Sequence, residues 1–422
     1  MHKILKVFIF ISLFSSLLSF QVRAEEVLAW KDCVKEAQKN HPDLISAQEE
    51  INQSIASKEI SKSGLLPQVS VSAGASTDKS STQSSSTKSY DYGISTSQLL
   101  FDGFKTSDNV GAASENIKAA KESYRFSSSD IRARLRRAFI NLLRTQEMVK
   151  VAQDISDIRR SNLILISLRY ESGLEHRGAL LTAEANVAEA KLETEKTKRE
   201  LVVFQRQLIK EMGRSESEPV SVEGDFEIST HMEKPDLDAI AKNNPSLKQL
   251  SFRKNAARYG IKSAYAEFFP QLSGRLGANR IDSHFPPEND RLSAGLTLSW
   301  PIFEGGLKAA QLNEAQSLFK QYEAAERSTK DEIILNLEDT WAALQDAAES
   351  VQVQKKFLEA AEERAKIAEA EYSLGLIQFN NWTIIEDDLV RNKRSLLELR
   401  ANALLAESNW ILAKGETLEY VE

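Results

Sequence analysis

The sequence predicts a mainly helical protein with membrane β-strands. Its plan is a tandem-duplicated unit of long coiled-coil-like helices, with four β-strands per chain. Three observations predict this. Short marks recur in one order at a constant offset, two stretches of roughly 70 residues carry almost no helix breaker, and four segments alternate apolar and polar side chains.

The duplication comes first. KNHPDL (39–44) recurs as KNNPSL (242–247), LPQVS (66–70) as FPQLS (269–273), and LLFDG (99–103) as PIFEG (301–305). YESGL (170–174) recurs as YSLGL (372–376), and the glycine of MG (212–213) as that of KG (414–415). The offset is 202 or 203 throughout. Residues 25–213 are thus a first repeat and 236–415 a second, with 214–235 a linker or equatorial segment and 416–422 a C-terminal tail.

Residues 1–24 read as a secretory signal peptide: Lys3 and Lys6, an apolar run from Val7 to Phe20, then Val22-Arg23-Ala24. Its removal leaves 51 basic against 61 acidic residues, an acidic exported chain unsuited to nucleic acid. The single cysteine, Cys33, can form no internal disulfide and reads as a packing residue. Beyond the signal no apolar stretch is long enough for a transmembrane helix, so any membrane-embedded part must be made of strands.

Each repeat opens with a helical stretch (27–63; 236–266) ending at Pro67 or Pro270. Strands are expected at about 67–79 and 89–101, and again at 270–281 and 291–303. In RLSAGLTLSWPIF, Leu292, Ala294, Leu296, Leu298 and Trp300 share one face, and Arg291, Ser293, Gly295, Thr297 and Ser299 the other. Strands of roughly 10–12 residues suit a tilted bilayer crossing, with the apolar face to lipid. Residues 104–172 then hold one glycine and no proline, and 307–374 hold neither. Gly173 and Gly375 follow, where a left-handed residue reverses each helix into a hairpin. After the second tip, Leu389, Leu396, Ala403 and Trp410 repeat every seven residues, with Asn392, Leu399, Ala406 and Ala413 three behind, a coiled-coil seam.

Four strands cannot close a membrane barrel, and an open sheet in lipid leaves unpaired edges, so several chains must share one barrel. In order and doubled, the signal peptide, the N-x-P starts, the P-Q-[VL]-S strand entries, the F-[DE]-G strand exits and the Y-x-x-G-L tips resemble the TolC-like outer-membrane efflux and secretion channels. The resemblance covers essentially the whole mature chain. It implies a homotrimer whose twelve strands form one barrel in outer-membrane lipid of a Gram-negative bacterium, standing on an α-helical periplasmic tunnel. It implies docking of the tunnel tip onto a periplasmic adaptor protein and an inner-membrane ABC or proton-driven transporter. The protein would be their passive exit duct. The competing reading is an exported coiled-coil scaffold without a channel, which gives bilayer-length strands no purpose.

The tips are the expected working parts. The resemblance implies an aperture at Tyr372, Gly375 and Asn381, to which the residue pattern adds Asp388, and adaptor docking through Gly173, Leu174, Glu175, Arg177, Gly375, Leu376 and Phe379. The family's latch is incomplete: Tyr372 matches, but its arginine position reads Ile377 and its acidic positions read Asn381 and Ile384. Asp388, one heptad beyond Asn381, would form a cation-selecting ring in a trimer. Alternatively Glu386, Asp387, Asp388 and Arg391 form a solvated, locally paired face. His176 is read either as a pH sensor or as a surface histidine without a role, and Trp382 as an anchor or as packing. No histidine pair has metal-ligand spacing, and no phosphate loop or nucleophile motif occurs, so neither catalysis nor a cofactor is expected.

Overall fold

The computed structural model describes residues 26–79, 86–215, 218–226 and 233–419. The expected signal peptide, the middle of the first unit's polar loop (80–85), His231 and the last three residues lie outside the described residues.

The chain begins with β1 (Glu26–Leu28), α1 (Trp30–Asn40), α2 (Pro42–Ser63), β2 (Gln68–Lys79), β3 (Ser86–Phe101), α3 (Lys105–Glu171) and α4 (Arg177–Met212). After β4 (Val220–Val222) the plan repeats as α5 (Leu237–Asn243), α6 (Pro245–Ala266), β5 (Gln271–Asp282), β6 (Asp290–Ser299), α7 (Leu307–Ser373) and α8 (Phe379–Lys414). Matching helices have equal lengths: 22 residues in α2 and α6, 67 in α3 and α7, 36 in α4 and α8. At about 1.5 Å per residue, α3 and α7 are rods of roughly 100 Å.

The recurring marks are where the chain changes direction. In N-x-P, the side chain of His41 or Asn244 accepts a backbone N–H from Asp43 or Ser246 and caps the helix that proline starts. Gly213 and Gly415 end α4 and α8 with φ of 76° and 78°. Each presses on the N-x-P mark of its own repeat: a β-carbon on Gly213 would lie 2.5 Å from the Asn40 carbonyl, and one on Gly415 2.6 Å from the Pro245 ring. So α4 runs end-on into α2, and α8 into α6, each pair lying along one long helix. The strand exits turn on two successive left-handed residues, Gly103-Phe104 and Gly305-Gly306. The Asp102 carboxylate holds the first exit by accepting from the Thr106 N–H and hydroxyl.

The helices pack around α3, which touches α2, α4, α6 and α8. The largest core lies mid-length on it, where Ile131, Leu135, Phe139 and Leu142 meet Cys33 and Val34 of α1 and Leu208 and Met212 of α4. Two segments expected to be peripheral join it. Within the 214–235 linker, Val220–Val222 pairs parallel with β1, and both valines are buried. In the 416–422 tail, Leu418 is fully buried, with its N–H donated to the Ser128 hydroxyl. A three-residue Val-Ser-Val strand or a single leucine gives no readable period, so only the tertiary core reveals them. The fourth strand ends at Ser299 rather than 303, because Pro301 supplies no amide to continue a ladder.

The two kinds of glycine separate experimentally. A side chain at Gly375 meets nothing within 4 Å, so Gly375→Ala carries only the backbone cost of about 1 kcal/mol. Gly213→Ala adds a clash with Asn40, and thermal melting of the purified protein should show the larger drop for Gly213→Ala.

Candidate functional site

Two regions stand out, the four-stranded sheet and the helical tip. The sheet has the order β2-β3-β5-β6, every pair antiparallel, so the repeats join where β3 meets β5. Residues directly opposite share a face. The register therefore lines up Val69, Val71, Ala73 and Ala75 with Tyr90, Tyr92 and Ile94, then with Leu272, Leu276 and Ala278, and finally with Leu292, Ala294, Leu296 and Leu298. All four strands contribute to one apolar face, and Leu292, Leu296 and Leu298 on it are exposed. Trp300 follows β6, exposed, with its indole N–H donated to the Phe268 carbonyl at 3.1 Å.

Aromatic rings mark both ends of this face. Tyr90 and Phe285 meet edge-on at the far end, at 5.8 Å, and Phe101, Phe104, Phe268, Phe269 and Trp300 sit where strands join helices. From Tyr90 to Phe101 the strand covers roughly 37 Å, or about 28 Å of height at a tilt near 40°, which matches a hydrocarbon layer between aromatic girdles. The opposite face is polar, with Ser70, Ser72, Ser95, Ser97, Ser293, Thr297 and Ser299, and the Ser70 and Ser95 hydroxyls lie 2.9 Å apart. β2 and β6 each have one neighbour and present an open edge.

Both tips end in the same C-cap. The Leu174 N–H donates to the Arg169 carbonyl and that of Gly173 to Tyr170, while Leu376 donates to Glu371 and Gly375 to Tyr372. This pattern requires the left-handed glycine, whose φ is 71° at Gly173 and 77° at Gly375. Leu174 (67 % exposed) and Leu376 (70 %) project from the two turns, and Arg177 is exposed beside them.

Between the hairpins lies a small core. The Tyr372 ring is fully buried and stacks on Trp382 at 4.4 Å, with 10° between planes. Its hydroxyl donates to Glu175 Oε2 at 2.9 Å across the two repeats. Arg169 covers the other side, its guanidinium 4.7 Å from the ring centre and donating to the Tyr372 carbonyl. Burial, then the Glu175 carboxylate, raises the Tyr372 phenol above its ordinary range. Arg169 and Glu175 of the first repeat thus hold Tyr372 of the second. Sequence reasoning missed Arg169 because it lies 203 positions from its partner.

Other expected residues are placed differently. Phe379, expected to dock an adaptor, is only 7 % exposed, because as the first residue of α8 it turns inward onto Tyr372 and Trp382. Trp382 is 1 % exposed and is packing, not an anchor. Its indole N–H has no hydrogen-bond partner among the described residues, an uncompensated buried donor that weakens this cluster. His176 is not idle: its Nδ1 accepts from the Ala179 N–H and caps α4. Asn381 and Ile384 are exposed on one side of α8, and half-buried Asp388 lies further along it. Asp388 meets Arg364 at 3.5 Å and Arg391 at 3.6 Å. Glu386, expected in a solvated face, is buried against α3, where Asn162 Nδ2 donates to it at 3.4 Å and Arg159 pairs with neighbouring Asp387. Burial raises the Glu386 carboxyl above the usual range. Among the described residues no acid, histidine or cysteine cluster is arranged to hold a metal, and no helix is long and apolar enough to cross a membrane.

The two-faced sheet above paired helical rods defines a class: an exported protein that crosses a membrane by strands shared between chains. The chain belongs to the outer membrane efflux protein family, whose model matches residues 33–214 and 237–415, and it is an outer-membrane protein with a large periplasmic helical part. It is 20 % identical over 388 residues to the outer membrane efflux protein BepC of Brucella suis, covering 90 % of this chain and 83 % of BepC. It is 24 % identical over 197 residues to the outer membrane protein TolC of Escherichia coli, covering 42 % of this chain and 39 % of TolC. Its fold matches crystal structures of CusC (TM-score 0.83, 18 % identity, 92 % of each chain) and of VceC from Vibrio cholerae (0.78, 19 %, 92 % of this chain and 96 % of that one).

Two outcomes follow from the tip. Tyr372→Phe leaves the Glu175 carboxylate without its cross-repeat donor and should cost about 1–2 kcal/mol of stability, seen as a lower melting temperature. Because the Glu386 carboxyl is raised in the fold, its ionisation destabilises the protein as pH rises through and above the ordinary carboxylate range. Glu386→Gln should therefore raise the melting temperature at neutral pH, with the gain vanishing below that range.

Proposed function

We propose that the protein is the outer-membrane exit duct of a tripartite export system serving type I secretion or multidrug efflux. It is a passive channel of three chains, opened at its periplasmic tip by an adaptor and an inner-membrane ABC or proton-driven pump. The observation that carries this reading is the sheet, mainly apolar on one face apart from Thr96, Gln98 and the Arg280–Asp290 pair towards its far end, polar on the other, and open at both edges. Lipid tolerates no open edge, and three copies supply twelve strands, enough for a hollow, wet barrel. The scaffold reading leaves the apolar face without an occupant.

The tip supplies the gate and the dock. The buried Tyr372 clamp joins the two hairpins of one chain, so opening would move them together or break the Tyr372–Glu175 bond. Leu174 and Leu376 offer exposed apolar knobs to an adaptor. Asp388 would approach the axis with Asn381, but Arg364 and Arg391 offset part of its charge.

Planar-bilayer recording of the detergent-extracted protein tests the channel. A reproducible pore is expected, and Asp388→Asn should lower its cation preference; an unchanged preference would remove Asp388 from the aperture. The paired change Leu174→Asp and Leu376→Asp should abolish export in cells while leaving membrane insertion and conductance intact. If export persists, the knobs are not the dock.

A further inference from the structure

The polar face of the sheet carries a charge that nothing answers. Arg275 of β5 stands opposite Ser97 of β3 and Gly295 of β6, and the next positions on that face are Ser273 and Thr297. The Arg275 side chain is exposed and has no hydrogen bond or ion pair to any described residue. Other long polar side chains on this face lie down on a glycine opposite. Asp91 covers Gly74 and Asn279 covers Gly93, coming within 2.6 Å and 1.9 Å of where a β-carbon would sit. Over Gly295 there is nothing within 4 Å, so Arg275 stands off the wall.

Its surroundings offer no compensation. The carboxylates of this face, Asp91 and Asp78, lie towards the far end of the strands, beyond the second arginine, Arg291, which is level with Gly93. By the offset of 203, the first-repeat counterpart of Arg275 is Ser72, so the charge appears once per chain. We propose that Arg275 forms a three-fold ring of uncompensated positive charge across the barrel lumen near its helix-side end, level with the start of β2 at Gln68, a binding and selection site for small solutes bearing carboxylate, sulfate or phosphate groups. The proposal rests on the trimeric-channel reading. Twelve strands at about 4.8 Å spacing and a tilt near 40° give a backbone radius of about 12 Å. An extended guanidinium reaches roughly halfway to the axis, leaving the centre within about one Debye length of all three charges at physiological salt. The guanidinium fork also suits bidentate contact with oxyanions.

The test is pyrophosphate added to the barrel side of single channels in a planar bilayer. The wild-type current should be blocked in a concentration-dependent way. Arg275→Gln should raise the half-blocking concentration about fivefold or more, while Arg275→Lys, which keeps the charge, should stay within about twofold. Equal block of wild type and Arg275→Gln, or no block of the wild type, would overturn the ring. An absence of conductance from all three proteins, each extracted as a folded trimer, would instead overturn the channel reading and the ring with it.

Discussion

The structure depends on one constraint: a backbone amide or carbonyl cannot stay unpaired in hydrocarbon. Among the described residues the chain builds one bilayer-height sheet and stops at four strands, leaving β2 and β6 with bare edges. Each edge is the repeat counterpart of an internal strand, since β6 corresponds to β3 and β2 to β5. The β3–β5 pairing inside the chain therefore shows how β6 of one copy would meet β2 of the next. Duplication and oligomerisation satisfy the same need, one within the chain and the other between chains.

The helices inherit their geometry from that sheet. Left-handed pairs at Gly103-Phe104 and Gly305-Gly306 turn two strands into the two 67-residue rods. The shorter helices stack end-on beside the rods, and the contacts of Gly213 and Gly415 with the N-x-P caps fix where they meet. Stability is then uneven along the rods. The equatorial core gathers β1, α1, α2, α4, β4 and Leu418 of the tail around Ile131, Leu135 and Phe139, whereas the tip rests on a few rings and one buried indole without a partner. A tip held by fewer contacts is the part that a binding partner can rearrange.

Much of this was legible in the residues, for physical reasons that also mark the boundary. Period-two alternation in residues 291–299 specifies an apolar face, and paired N-x-P and glycine marks specify helix ends, because each is a local rule. Pairing between distant segments is not local. Nothing near Tyr372 announces Arg169 or Glu175, and nothing near Val220 announces β1. The inward turn of Phe379 and the burial of Glu386 had a usable signal. Running the heptad back from Leu389 reaches Trp382, and Glu386 lies one turn further along that buried stripe. Of the charged residues at 386–391 only Glu386 is buried, because α3 packs over it, a contact no local pattern announces; Asp388 and Arg391 keep the local pair their spacing suggests.

The most direct measurement is cross-linking across the proposed seam between copies. Transferring the Thr96–Leu276 pair by the repeat offsets places Leu298 of one copy beside Ala73 of the next. The protein carrying Leu298→Cys and Ala73→Cys would be treated in outer membranes with a short bis-maleimide. The native Cys33 stays silent, being buried, with its thiol pushed up to about 12. The account predicts a ladder of one, two and three linked chains and nothing larger. Unlinked chains, or a ladder running past three, would contradict a barrel closed by three copies of this sheet.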